Sequence, residues 1–549
     1  SPSSPAVTPG PKRFFNNLPT TMKLLLQLPT PDALGLHWID YLIIILSLVV
    51  SVWVGLFFAK GQKTTDKFYT AQGTIPAWAI GMSILATLVS SVTFLAYPGE
   101  GFSSDWVRLV QGLMVPLVLL AVIWIIVPLY RSVIRLSAYE YFERRFGYFA
   151  RFYGSLGFIL AHFSKMGTVF YLLSLAIAKF VGIDTLSVIW VMGAIVILLT
   201  LLGGIEAVIW LDVIQGFLLI VGGVITLLII LVNTPGGPAA VWETAAASGR
   251  VGFGSFDWDF VNLTFWVMAI NGIFYAIQKY GTDQTVVQRY LTASSNRDAI
   301  RASLLGVLLS VPVWALFMFI GTALFSFYQL TGNQLPPDVR PDAVFPLFIM
   351  SELPVGITGL VVSALLAAAI SSLDSDLNCL SAVLTEDFYD RLKKNATDHQ
   401  KLVFGKTMVV VCGVLAMLVA TVYVKLGGEG VLGIVFSLYA IFSGGIAGMF
   451  LLGLFVPRAN WQGLYVGIAA CVLFTAYGVL TSSPIGDTQW LDFGRWNFRH
   501  HNYMLGVYSH LLLFGVGLAA SYFFKKPMID ENLTYRGWTR AQRRARQVR

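Results

Sequence analysis

Three polar stretches set inside apolar sequence carry the residues that could do chemistry, and the chemistry they suit is holding a hard cation by oxygen. The densest is Ala364-Leu-Leu-Ala-Ala368-Ala-Ile-Ser371-Ser372-Leu-Asp374-Ser375-Asp376-Leu-Asn378. At about 100° per helical residue, Ala368, Ser371, Ser372 and Ser375 share one face, and Asp374 and Asp376 flank it on opposite sides. A carboxylate deep in a bilayer is costly unless something positive neutralises it. A basic side chain on another helix would do so, as would a bound Na⁺. No cation-rich helix stands out as a partner, and an all-oxygen face satisfies Na⁺ directly. For Asp376 the structural pair and the ion remain equally open.

The second stretch holds five hydroxyl residues, Ser83, Thr87, Ser90, Ser91 and Thr93, and closes with Pro98-Gly99-Glu100. Small hydroxyl residues let helices pack closely while bonding back to their own preceding turn. The same residues also suit an unwound helix whose freed carbonyls line a cavity, since irregular backbone at membrane depth survives only there or buried in protein. The third stretch is Gly203-Gly-Ile-Glu206-Ala-Val-Ile-Trp210-Leu-Asp212-Val-Ile-Gln215. Asp212 lies about 9 Å along a helix from Glu206. It reads as an intramembrane acid, which is a functional candidate, or as an interfacial carboxylate held by the nearby indole or an amide.

The elements that must position these residues are membrane spans. Of 549 residues, 56% are hydrophobic and 12% charged, and the mean hydropathy is +0.72. That leaves too little polar material to clothe a soluble surface. Runs such as Tyr41 to Ala59, Leu113 to Tyr130 and Leu186 to Leu202 are each long enough to cross about 30 Å of hydrocarbon. The predicted spans are 36–60, 76–98, 107–130, 150–181, 185–203, 206–232, 262–282, 299–329, 355–390, 403–426, 430–455, 461–481 and 504–524, about thirteen in all. Residues 1–35, rich in proline, read as a flexible leader with a short surface helix near Met22 to Leu28, and 525–549 as a basic tail.

With the N-terminus outside, the loops that fall inside hold most of the bases. These include Lys60, Lys63 and Lys67, Arg131 to Arg151, Arg289, Arg297 and Arg301, and Arg391 to Lys401; the basic tail is also inside. The net charge of +8 therefore reads as membrane topology and not as nucleic-acid binding. Cys379, Cys412 and Cys471 all lie in apolar runs, which argues against a disulfide framework. No His/Cys metal cluster, phosphate-cradling loop or nucleophile elbow is present to suggest an enzyme. His162, the histidine clearly in a span interior besides His510 near the last span, reads as a packed histidine.

With those residues in view, the chain resembles the sodium:solute symporter family. The matching stretches are Ala86 to Thr93, Arg135 to Phe146, Gly203 to Gln215, Asp283 to Ala293 and Ala367 to Asn378. Within the family it is most similar to the bacterial sodium/sialic acid branch, through Ser90-Ser91-Val-Thr93-Phe94 and Phe102-Ser-Ser-Asp105-Trp106. The vertebrate monocarboxylate and iodide branch is a second neighbour.

The resemblance implies an all-α integral membrane fold with a five-plus-five inverted-repeat core over 76–455, and the second and seventh spans discontinuous. It adds an extra helix at 36–60 and two more within 461–524. It implies a first Na⁺ site from the carbonyls of Ala86, Val89 and Ala368 with the hydroxyls of Ser371 and Ser372. A second Na⁺ maps to Asp212, Ser371, Asp374 and Ser375, the aspartate at 374 replacing that branch's serine. For the solute it carries over Ser90 and Thr93, with Lys165 where that branch has a carboxylate-binding arginine. Arg108 stands at an aromatic position of that pocket, and Tyr275, Gln278 and Lys279 lie on the broken seventh span. Leu88 replaces a threonine.

Function follows as an expectation. The chain would be a Na⁺-coupled symporter in the plasma (inner) membrane, with its C-terminus cytoplasmic and two Na⁺ moved per solute. The solute would be a small polar anion, sialic acid or a related sugar acid, with neutral sugars and monocarboxylates as alternatives. A transporter-fold sensor is the reading from a different class. The partners implied are the solute, Na⁺ and membrane lipid, with no nucleic acid.

Overall fold

The protein is represented by a computed structural model that describes residues 35–336, 339–425, 444–482 and 490–540. The leader expected at 1–35 lies almost wholly outside the described residues, with its surface helix. So do the first part of the span expected at 430–455 and the end of the tail. The described chain is all helical but for one isolated bridge between Ile75 and Ala293.

Fourteen helices carry the architecture described here. They are α1 (Trp38–Ala59), α2 (Ala77–Leu88), α3 (Ser91–Ser103), α4 (Leu109–Val133), α5 (Tyr148–Val181), α6 (Thr185–Asn233) and α7 (Phe265–Gly281). These are followed by α8 (Gln284–Leu291), α9 (Asn296–Thr331), α10 (Ile357–Val383), α11 (Asp398–Lys425), α12 (Ile446–Phe455), α13 (Trp461–Thr481) and α14 (Asn502–Ser521). Among the described residues nine helices are long and apolar enough to span a membrane, and α2 with α3 make a tenth as one bent pair. The 49 residues of α6 would stretch about 74 Å as one rod, more than twice a hydrocarbon core. The element turns at Gly204, whose φ 57, ψ −160 is open only to glycine.

Burial separates scaffold from rim. On α1 the residues Trp38, Leu42, Ile45, Leu46, Val49, Trp53 and Phe57 are exposed, an apolar surface of the kind that meets lipid or another protein. On α10 every residue from Val361 to Val383 is buried, so this helix is enclosed by protein. It packs against α6 on one side and α5 on another, and also meets α2, α3 and α8.

The break expected within the second span is present as a gap of two residues, and a second such gap falls not inside the seventh span expected at 262–282 but at its C-terminal edge. Val89 (φ −102, ψ 101) and Ser90 (φ −103, ψ −179) are extended, and α2 and α3 bend 58° across them. Thr282 and Asp283 separate α7 from α8. Each second half-helix has its own cap: Ser90 Oγ accepts from the Val92 amide at 3.2 Å, and Asp283 Oδ1 accepts from the Thr285 amide at 2.8 Å. Such caps satisfy the orphaned donors that a restarted helix exposes.

Glycine sets how closely α3 meets α9. A Cβ at Gly321 would sit 1.9 Å from the Pro98 carbonyl oxygen, and one at Gly101 would sit 2.1 Å from that of Met318. Backbones in contact through small residues are a usual membrane helix interface. Gly321→Ala is therefore expected to cost about 1–3 kcal/mol through overpacking, read as a lower thermal midpoint of the purified protein. An unchanged midpoint would show that this crossing is not fixed by glycine.

Candidate ion and solute site

The site is assembled where α10 passes the break between α2 and α3. Ser371 Oγ donates to a backbone carbonyl, with the Ala86 oxygen at 3.1 Å and the Ala368 oxygen at 3.2 Å. The hydroxyl face of α10 thus touches the carbonyl that ends the first half-helix. Ser372 Oγ, one position on, is buried without a hydrogen-bond partner. Among the described residues no side chain hydrogen-bonds either buried carboxylate oxygen of Asp374, and the residue is wholly enclosed. Ser91 Oγ, just after the break, is another buried oxygen with no hydrogen-bond partner among the described residues. Unpaired buried polar atoms are rare enough in a folded protein to require an explanation. An acid and hydroxyls without a donor are the chemistry of an alkali-cation site.

The other acids are answered by side chains, which corrects the expectation that no basic group faces them. Arg289 on α8, fully buried, places Nη2 3.0 Å from Asp212 Oδ2 and 2.7 Å from Ser375 Oγ. Its Nε donates to Ser83 Oγ at 2.7 Å, and Ser83 in turn donates to Asp212 Oδ2 at 2.5 Å. Its Nη1 donates to the Thr285 carbonyl at 2.6 Å. One guanidinium therefore ties α2, α6, α8 and α10 together in the fork geometry that suits arginine. Asp212 keeps Oδ1 unpartnered. Thr87 Oγ1 lies 3.3 Å from Ser375 Oγ.

Asp376 points to the opposite side of α10, as its 200° offset from Asp374 requires (about 100° per residue). There it lies 3.1 Å from Lys165 Nζ and 2.9 Å from His162 Nδ1, both on α5. His162 Nε2 lies 3.5 Å from Asp283 Oδ2. That oxygen accepts from Lys279 Nζ at 2.7 Å, and Lys279 also reaches Thr285 Oγ1 at 3.1 Å. Of the two answers open for Asp376, the described contacts are those of a structural pair.

The remaining candidates lie further out. Arg108 pairs with Glu100 at 2.9 Å and donates to the Tyr503 hydroxyl at 2.8 Å. Ser90 and Thr93 are buried just beyond the first break, while Tyr275 and Gln278 are half-buried on α7.

Arg289 is the residue that sequence reasoning misplaced. Ending the seventh span at 282 put it among loop cations. The signal was present in Thr282-Asp283-Gln-Thr, an N-cap pattern that restarts a helix, followed by the apolar Val286, Val287 and Tyr290. Arg145 and Arg151, also read as loop cations, are buried too. Arg145 donates to the carbonyls of Gly453, Val456 and Ala459, and Arg151 binds Asp387 and Glu143.

Comparison with known proteins gives consistent matches. A sequence model of the sodium:solute symporter family matches residues 68–470. The sodium/sialic acid symporter NanT of Aliivibrio fischeri is 34% identical over 80% of this chain and 88% of its own length. The sodium/sialic acid symporter SiaT of Proteus mirabilis is 34% identical over 82% and 93%. A solved structure of a Na⁺-coupled sialic acid symporter, substrate-bound and outward-open, superposes with a TM-score of 0.81 at 32% identity. It covers 89% of this chain and 99% of that one. Mhp1, a nucleobase-cation-symport-1 family transporter, shares the fold at 16% identity, a TM-score of 0.50 and coverage of 84% and 96%.

Removing Arg289 alone leaves a buried carboxylate unpaired, a loss of about 3–5 kcal/mol for such pairs. Arg289→Met is expected to lower the thermal midpoint sharply, and adding Asp212→Asn should recover much of it. If the double variant is no more stable than the single one, the pair does not govern this junction.

Proposed function

The chain belongs to the sodium:solute symporter family, and on that footing we propose that it imports a small hydroxyl-rich anion, sialic acid or a related sugar acid, driven by Na⁺. The relatives at 34% identity are named for that activity, and the protein is a multi-pass membrane protein of the same all-α fold. The observation that carries the reading is the set of orphaned oxygens beside a broken helix: Ser372 Oγ and both oxygens of Asp374, buried with no side-chain hydrogen bond among the described residues, next to the carbonyl that Ser371 touches.

The first Na⁺ is assigned to the carbonyls of Ala86, Val89 and Ala368 with the hydroxyls of Ser371 and Ser372. A second is assigned to Asp374 with Asp212, Ser371 and Ser375. Asp212 enters through its free Oδ1, since Arg289 holds Oδ2. Asp374 is what makes two Na⁺ per solute the favoured stoichiometry. With serine there, Asp212 and Arg289 would already balance; with aspartate the group carries one negative charge for the ion to cancel. Each Na⁺ moving inward through 100 mV contributes about 2.3 kcal/mol.

The solute is placed between Ser90 and Thr93 at the first break and Lys165 and Lys279 across from it, with Tyr275, Gln278 and Arg108 along its path. The ten-helix core is assigned to 76–455, with 36–60 and 461–524 added to it. The N-terminus is placed outside and the basic tail in the cytoplasm of an inner membrane. The bases that remain in loops once Arg145, Arg151 and Arg289 are set aside support that orientation.

A neutral sugar is the second reading, favoured by one observation. Lys165, Lys279 and Arg108 each already face a carboxylate.

Because ion and solute meet at one broken helix, Na⁺ is expected to raise solute affinity. Thermal shift of the purified protein with sialic acid, sugar acids, monocarboxylates and neutral sugars, in Na⁺ and in choline, tests this. Equal shifts in the two salts would remove the coupling. Ser372→Ala and Asp374→Ala are each expected to abolish concentrative uptake in proteoliposomes with protein yield intact. Normal accumulation by both would move the ion site elsewhere.

A further inference from the structure

Lys165, Asp376, His162, Asp283 and Lys279 form one alternating chain running from α5 across α10 to the junction of α7 and α8. Lys165 keeps 30% of its side chain exposed at one end, whereas Asp376 and His162 are enclosed. Charge can be counted along it. Two lysines and two aspartates cancel, so the chain is neutral when the imidazole is neutral and carries one positive charge when it is protonated.

Geometry bears on which form is present. A neutral imidazole has one N–H donor and one bare lone pair. Here Nδ1 lies 2.9 Å from Asp376 Oδ1 and Nε2 lies 3.5 Å from Asp283 Oδ2. An ionised carboxylate is acceptor-only, so a neutral ring must turn a lone pair toward one of them, whichever tautomer it adopts. An imidazolium presents an N–H to each, hydrogen-bonding Asp376 and standing at ion-pair distance from Asp283. Phe158 packs against the ring, tilted by 36° with the centroids 4.0 Å apart.

We propose that His162 is a positioning residue for an anionic solute: its protonation gives the Lys165–Asp376–His162–Asp283–Lys279 chain the single positive charge that a solute carboxylate at Lys165 then neutralises. This rests on the anionic reading above and explains how cations that are all paired can still receive an anion. With the imidazolium sharing Asp376 Oδ1, the lysine's carboxylate partner is partly drawn off, and the exposed ammonium turns a donor to the solute. The ionisable groups facing this stretch from the packed elements are Asp376 and Cys379 on α10 and Lys279 and Asp283 at the α7–α8 junction. Tyr139, against Phe158, and Tyr423 on α11, against Ser164, also lie there, and Asp374 and Arg289 act on Asp376 and Cys379 from the far side of α10.

The sign follows directly. The protonated form binds the anion, so affinity is full at low pH and is lost as pH rises through the His162 titration. A single linked proton allows up to about tenfold per pH unit. The test is sialic acid binding to the full-length protein by calorimetry, at saturating Na⁺, from about pH 5.5 to 8.5. The sugar's own carboxyl stays ionised throughout, and Na⁺ saturation keeps proton competition at the ion sites out of the readout.

The native protein is expected to weaken toward high pH. His162→Gln should bind weakly at every pH. His162→Gln with Asp376→Asn restores the single positive charge without a titrating group, and should recover affinity with a flat profile. A pH-independent native protein overturns the proposal, and so does a double variant no better than His162→Gln. If sialic acid and other sugar acids give no Na⁺-dependent binding at any pH while a neutral sugar does, it is the anionic reading that fails.

Discussion

Inside the hydrocarbon a charge or a freed carbonyl has no water to fall back on, so each must be met by another part of the molecule or by something the molecule binds. The centre of this protein can be read as successive answers to that demand around one helix. Asp212 is met by Arg289, and Asp376 by Lys165 and His162. Asp374, on the enclosed α10, is hydrogen-bonded by no side chain among the described residues. Na⁺ is the answer proposed for it above, and by the same demand a site of that kind would depend on its ion.

The two helix breaks are tied to this arrangement and to each other. Arg289 starts from α8, past the second break, and bonds Ser83 on α2, before the first. Ser371 bonds the carbonyl at the end of α2. Asp283, which caps α8, shares its carboxylate between Lys279 on α7 and His162 on α5. An ion at α10 and a solute at α5 and α7, as proposed above, would therefore act on a single connected set of groups. A differential affinity for two arrangements of that set is what coupling physically requires.

The close approach of α3 and α9 belongs to the same design. Glycine at 101 and 321 brings backbone against backbone, which leaves the second half of the broken helix packed firmly while its first half is anchored through Arg289. The bend between the halves then has a defined place to occur, at Val89 and Ser90.

Periodicity and hydropathy alone determined a good deal. The apolar runs that became α1, α4, α5 and α9, the enclosed polar face of α10, and the hydroxyl-rich stretch that became the first break were all legible. They rest on local chain properties: helical geometry fixes which residues share a face, and span length follows from the thickness of hydrocarbon. The resemblance added a break in the seventh span and the expected ligands.

What the sequence left open was which charges cancel. Arg289 lies 77 residues from Asp212, and Lys165 lies 211 from Asp376. Those partners are chosen by how distant helices pack, which no local pattern encodes. Arg289 looked like a loop cation because a span that stops and restarts has the same composition as a span that ends. His162 looked like a packed histidine because only the tertiary structure brings two carboxylates to its two nitrogens. Local sequence decides which groups enter the membrane; long-range packing decides what neutralises them there.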